Sequence, residues 1–218
     1  NEGSGRAMRA AVVSNGDLGD AEKLRKMLPP FDLVVCSDGG IRHLKALGLQ
    51  PDILVGDFDS ADPSLMREYT EKGIPVLRFP SDKDKTDTLI AAETAMERGA
   101  DSIVLLGALG SRWDHSYGNV MILVRLAERG IDGMILHSHN RILVSDQIFV
   151  LTARPGQTVS FLPLGENVKI ESTKGLRYPV HHKAMPLDDP YGISNVFTEE
   201  RAEVRITSGW LMAVVADD

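Results

Sequence analysis

The sequence predicts an α/β unit built on a parallel sheet, followed by an all-β sandwich. Three observations carry this. From residue 8 to about 137, short β-branched runs alternate with longer helical stretches. After about residue 140 the helical period vanishes, and short runs alternate instead, punctuated by glycine and proline as in RPGQ and LPLGEN. The strands of the first half are almost continuously apolar, as strands covered on both faces must be, whereas those of the second half read as half-buried.

Taken in order, the first-half strands are expected at 10–14, 33–37, 53–55, 76–79, 103–106 and 134–137. Asp62 followed by Pro63 is an N-cap with proline in the first turn. Gly48, Gly99 and Gly130 stand where helices should stop. The second-half strands are expected at 141–144, 148–151, 158–162, 168–172, 202–207 and 210–215. The expected domains are therefore 8–138 and 139–218. The opening NEGSGRA, residues 1–7, reads as a non-native remnant and is set aside. The segment 181–192 reads as a long, proline-bounded loop.

Composition narrows the classes. The chain has 218 residues, 43% hydrophobic, and a formal charge of -7, enough for a buried core and opposed to general nucleic-acid binding, which favours a basic face. Cys36 is the single cysteine, so an intrachain disulfide is impossible, and a reducing, cytoplasmic setting is expected. No apolar run approaches the roughly 20 residues that span a bilayer, so no membrane partner is expected.

Ligands of open parallel sheets bind beyond the carboxyl ends of the strands. Four consecutive strand ends here carry glycine, carboxylate or both: DGG at 38–40, GDFDS at 56–60, SDKDKTDT at 81–88 and GALGSRWDHS at 107–116. If the backbone stays extended past Val55, Asp57 and Asp59 point to one side and Phe58 to the other. Such paired carboxylates suit Mg²⁺, which takes one or two carboxylates together with waters and phosphates. The alternative is a plain turn with capping aspartates. Asp84 or Thr86 is the cap of the next helix, with Asp87 in its first turn. Lys83 and Lys85 are either phosphate-neutralising or solvated. In the third loop, glycines let the backbone approach a ligand, free N–H groups at the helix start favour phosphate, and Arg112 suits a two-pronged phosphate contact. Asp114 has a competing role as helix cap. The histidine pairs 137/139 and 181/182 lack zinc-like spacing to further ligands and read as strand-end and loop residues.

Together these loops resemble the thiamine pyrophosphokinase (thiamine diphosphokinase) family. The resemblance rests on SDGG at 37–40, GDFDS at 56–60, DKDKTD at 82–87, LGALGSRWDH at 106–115, GLRYP at 175–179 and SN at 194–195. It covers nearly the whole chain from Met8. It implies a Rossmann-like nucleotide-binding domain followed by a thiamine-binding and dimerising β-sandwich, in a homodimer whose thiamine site is built partly by the partner. The implied reaction moves a pyrophosphoryl group from ATP to the thiamine hydroxyl, giving thiamine diphosphate and AMP, with Mg²⁺. By resemblance, Asp57, Asp59 and Asp87 hold the metal and Asp38 is a site residue. Gly39, Lys83, Thr86, Gly107 and Arg112 serve the nucleotide. Asp114, His115, Ser194, Asn195 and Trp210 serve thiamine, whose cationic rings also make Trp113, Tyr178 and Phe197 candidates for stacking. Where some members have glutamine after the R-x-D triplet, this chain has His115, whose role stays open.

Overall fold

The computed structural model describes residues 6–59, 61–80 and 84–217. The chain divides into two compact units, Asn1–Ser138 and His139–Asp218, each with its own core. Among the described residues, no helix is long and apolar enough to cross a membrane. The fold is mixed α/β, with a large sheet and a second, antiparallel one.

In the first unit the chain runs β1 (Arg9–Val13), α1 (Ala21–Met27), β2 (Leu33–Ser37), a 3₁₀ turn (Asp38–His43), α2 (Leu44–Leu47), β3 (Ile53–Gly56), α3 (Pro63–Glu71), β4 (Val76–Arg78), α4 (Asp87–Glu97), β5 (Ser102–Leu106), α5 (Trp113–Glu128) and β6 (Asp132–Leu136). Its strands lie in the order β6-β5-β1-β2-β3-β4, with every neighbouring pair parallel. All of β2 is buried, as a strand covered on both faces requires. Leu24, Leu44, Leu54, Leu106 and Tyr69 are at most 1% exposed and belong to one apolar cluster. Cys36 lies in it too, and burial pushes its thiol pKa far up, so it acts as a small core residue.

The helix starts follow their caps. Asp62 accepts from the backbone of Ser64 and Leu65 ahead of Pro63. Between the two cap candidates of α4, the residue that caps is Thr86, whose Oγ1 accepts from Leu89 N at 3.2 Å. Gly48, Gly99 and Gly130 follow helix ends with positive φ, where L-residues are strained. Arg112 is the N-cap of α5 and makes no side-chain cap bond. Asp114 is the second residue of that helix and not its N-cap; its carboxylate is gripped by Arg112 and also accepts from the His115 backbone.

The second unit holds β7 (Asn140–Ser145), β8 (Ile148–Thr152), β9 (Thr158–Pro163), β10 (Val168–Lys174), β11 (His181–Met185), β12 (Asn195–Val196), β13 (Arg201–Ser208) and β14 (Leu211–Ala216). They form two antiparallel layers, β12-β9-β14-β7 and β11-β10-β13-β8. Inward residues such as Phe149, Phe161, Val204 and Ala213 meet in one core, and the strict alternation of β8 shows the half-buried pattern directly. The expected loop at 181–192 is corrected in part. His181 and His182 lie in β11, an edge strand pairing with β10 from Ser172↔His181 to Val168↔Met185. The strand was hidden because four of its five residues are exposed, leaving no apolar alternation to read.

Candidate functional site

In the first unit the strand order reverses between β1 and β5, the point where open parallel sheets open a crevice. There the loop after β1 and the loop after β5 are fastened by backbone. Gly16 N donates to Gly107 O at 2.6 Å and Asp17 N to Leu109 O at 2.6 Å. Gly107 has φ 63°, and a Cβ on it would lie 2.2 Å from Ser14 O, so only glycine permits this approach. The 3₁₀ turn after β2 buttresses the same loop. Arg42 donates from Nε to Asn15 Oδ1 at 2.8 Å and from Nη2 to Asn15 O at 2.9 Å. His43 donates from Nε2 to Gly16 O at 2.7 Å. Burial lowers the pKa of His43, which keeps the imidazole a neutral donor.

A cleft of about 780 Å³ opens beside these loops. Asp38, Gly39, Asp57, Thr86, Asp87, Gly107, Arg112 and His115 line it, each expected as a site residue from the sequence. A Cβ on Gly39 would lie 2.2 Å from the Asn15 side chain, so Gly39 lets the two loops close up. Lys85 also lines the cleft and pairs with Glu93 at 2.7 Å. Arg125 holds the other oxygen of Glu93 at 2.6 Å. At the rim, Arg112 grips Asp114 through Nε–Oδ1 at 3.0 Å and Nη2–Oδ2 at 2.6 Å. The guanidinium draws the Asp114 pKa down to about 2.

Of the four acidic residues that line the cleft, Asp17, Asp38, Asp57 and Asp87, the last three act on one another. Asp38 is 6% exposed and its Oδ1 has no hydrogen-bond partner. Its pKa is pushed up to about 6, first by burial and then by a hydrogen bond with Asp57 and the charges of Asp57 and Asp87, against a lowering bond from the Phe58 backbone. Buried like charges with an oxygen that finds no partner among the described residues are costly unless something positive meets them. An all-oxygen donor set of this kind fits a hard divalent cation.

The sign of the linkage follows. With the folded pKa above the ordinary 3.8, Asp38 costs no stability in acid, where folded and unfolded chains both hold the proton. The cost grows as pH rises toward about 6 and is complete above it. Added Mg²⁺ is therefore expected to raise the melting temperature more at pH 7.5 than at pH 5. Equal shifts at the two pH values in calorimetry would remove the cation from this group.

Some expectations are corrected. The backbone does not stay extended beyond Val55, since β3 ends at Gly56 with φ 147° and Phe58 takes φ 60°. Phe58 is indeed turned into the core, at 7% exposure, but Asp57 and Asp59 do not present one face. Asp57 lines the cleft, whereas Asp59 is exposed outside it, its N–H bonded to Asp57 Oδ1 at 3.2 Å. Among the described residues no group of three or more Asp, Glu, His or Cys side chains is arranged to hold a metal by itself, and this applies to Asp38, Asp57 and Asp87 as much as to Asp57, Asp59 and Asp87. Lys83 lies outside the described residues.

The thiamine-side candidates of the second unit divide. Asn195 is buried and uses its amide within the fold, accepting from Tyr178 N at 3.1 Å and donating to Tyr178 O at 2.8 Å. That role is structural. Ser194 has φ 62° and its N–H binds Ser160 Oγ at 3.0 Å. Trp210 is half-buried just before β14. Phe197 is 1% exposed and belongs to the core, while Tyr178 and Trp113 are 60% and 71% exposed. The residues that sequence reasoning missed are Ser14 to Asp17 after β1, Arg42 and His43 in the 3₁₀ turn, and Ser116 and Asn119 on α5. The SNGD that ends the first strand was the available signal.

Two family models match the chain, one described as thiamin pyrophosphokinase, catalytic domain, over residues 24–135, the other as thiamin pyrophosphokinase, vitamin B1 binding domain, over residues 146–211. A thiamine pyrophosphokinase of Bacillus subtilis is 27% identical over 184 residues, 83% of this chain and 86% of its own. Thiamine pyrophosphokinase 1 of Oryza sativa is 28% identical over 202 residues, 81% of this chain and 75% of its own. Among solved structures, thiamin pyrophosphokinase from Geobacillus thermodenitrificans superposes with a TM-score of 0.83 at 27% identity, covering 97% of this chain and 98% of that one. The Bacillus subtilis structure gives 0.85 at 24% identity, covering 96% and 99%.

Proposed function

The chain belongs to the thiamin pyrophosphokinase family, which transfers pyrophosphate to thiamine and gives thiamine diphosphate, and from this premise we propose that the cleft of the first unit, on a Rossmann-like sheet, holds the triphosphate of ATP with Mg²⁺. The supporting observation is the meeting of Asp38, Asp57 and Asp87 with the glycine-rich loop before α5 in one cleft. Acidic residues alone repel a triphosphate; with a cation they attract it, and the loop with Arg112 supplies positive partners on the other side.

In the reaction the thiamine hydroxyl oxygen bonds to the β-phosphorus. The bond from that phosphorus to the oxygen bridging to the α-phosphate breaks, AMP leaves with the electron pair, and the hydroxyl proton is released to solvent. Such transfers depend on position and charge neutralisation. Carboxylates among Asp38, Asp57 and Asp87 would hold Mg²⁺ only together with phosphate oxygens and water, since no three of them converge by themselves, and the ion would supply charge neutralisation on the phosphate oxygens. Arg112 exchanges part of its grip on Asp114 for a phosphate oxygen, and the freed Asp114 orients the cationic thiamine. The exposed Trp113, Tyr117 and Met121, one helical face apart on α5, support a second copy of the chain seated on this side, in a homodimer.

The test is an assay with ATP and thiamine followed by nucleotide analysis and sedimentation. AMP is expected in equal amount to thiamine diphosphate, EDTA is expected to stop both, and the active species is expected to be a dimer. ADP as the product, activity in EDTA, or a fully active monomer would each remove the corresponding part.

A further inference from the structure

The floor of the cleft contains two hydroxyls. Ser14, where β1 ends, and Thr88, in the first turn of α4, both line it. They are 4% and 9% exposed, and their oxygens lie 2.8 Å apart. This is their only side-chain hydrogen bond among the described residues. Two hydroxyls carry two hydrogens, and the mutual bond uses one. Whichever oxygen donates, the other keeps a hydrogen with no acceptor among the described residues, at a depth where an unmade bond is costly. Thr88 follows Asp87, and Ser14 O is the atom a Cβ on Gly107 would strike. The pair thus stands between the acidic residues and the glycine loop.

We propose that Ser14 and Thr88 are a substrate-binding pair that delivers one hydroxyl hydrogen to a phosphate oxygen of the nucleotide. This rests on the reading that the triphosphate occupies this cleft. A phosphate oxygen is a strong, charged acceptor and needs no proton of its own, which suits a site that presents one donor and never two. Because the mutual bond runs in either direction, the free hydrogen is carried by either residue. A single substitution breaks the mutual bond but leaves one hydroxyl in the cleft.

That property gives the test a distinctive form. Ser14→Ala, Thr88→Val and the double variant are compared in unfolding and in steady-state kinetics. A purely structural bond between β1 and α4 is lost with either partner, so stability should fall alike in all three. For the nucleotide, each single variant should raise KM for ATP by no more than about threefold, and the double variant by about tenfold or more, since a hydrogen bond to a charged group is then lost. KM for thiamine should stay within about twofold in all of them. Thr88→Ser should behave as the parent. A double variant no worse than the singles overturns the proposal, and so does a change confined to KM for thiamine. Should the double variant fail to fold, Ser14→Cys with Thr88→Val fills the space with a weak donor, and an unchanged KM for ATP there overturns it equally. Asp57→Asn separates the levels: normal turnover in that variant defeats the reading of the cleft itself, whereas its loss together with indifferent hydroxyl variants defeats only the present inference.

Discussion

Asp57→Asn is expected to reduce turnover by at least about 100-fold under the proposed function, in which Asp57 helps hold a cation on the phosphates and its loss forfeits several kcal/mol of transition-state stabilisation. Asparagine keeps the shape of the side chain and can donate to Asp38. The variant also removes two of the causes that raise the Asp38 pKa, the hydrogen bond and the charge of Asp57. Its fold should therefore be as stable as the parent or slightly more so at neutral pH. Loss of activity with no loss of melting temperature is the signature of a residue kept for chemistry at the expense of stability. A thermal melt beside an AMP assay reads both. Activity within about twofold of the parent, or a marked drop in melting temperature, would contradict this account.

Gly107→Ala is the second large effect, and it acts through the backbone. The residue sits at φ 63°, and the added methyl would meet Ser14 O at 2.2 Å. Left-handed backbone costs an L-residue about 1–2 kcal/mol, and the clash adds about 1–3 kcal/mol because a backbone carbonyl cannot rotate aside. Urea unfolding should show a loss of about 3 kcal/mol. Relief must come from parting the loops after β1 and β5, so KM for ATP should rise by about tenfold or more in the protein that remains folded. A variant with parental stability would mean that the loop relaxes freely and that its closeness to β1 is not needed.

Much of the first unit was legible because its signals are local. The run 33–37 is apolar almost throughout, and β2 is buried throughout. Asp62 with Pro63 marks its helix by chemistry alone. Asp38, Asp57 and Asp87 follow successive strands of the parallel sheet, so their position along one cleft could be expected from their order in the chain. What escaped depends on distant partners. SNGD carries little charge, and its importance comes from backbone bonds to Gly107 and Leu109. Likewise β12 is only Asn195–Val196, held in place by pairing with β9 at Val159 and Thr158. The extended backbone expected past Val55 failed for a different reason. Alternation of faces holds only while a strand continues, and β3 stops at Gly56 so that Phe58 can sink into the core.

The rim of the cleft at the sheet's reversal is fastened by main-chain atoms. Apart from Gly16 and Gly107, where a Cβ would strike the facing backbone, side chains there can change with those bonds in place, while a single inserted or deleted residue shifts every donor past its acceptor. Attempts to retrain the enzyme toward another alcohol should therefore spare the length of these two loops and vary the outward positions of α5, where Trp113, His115 and Tyr117 are already exposed.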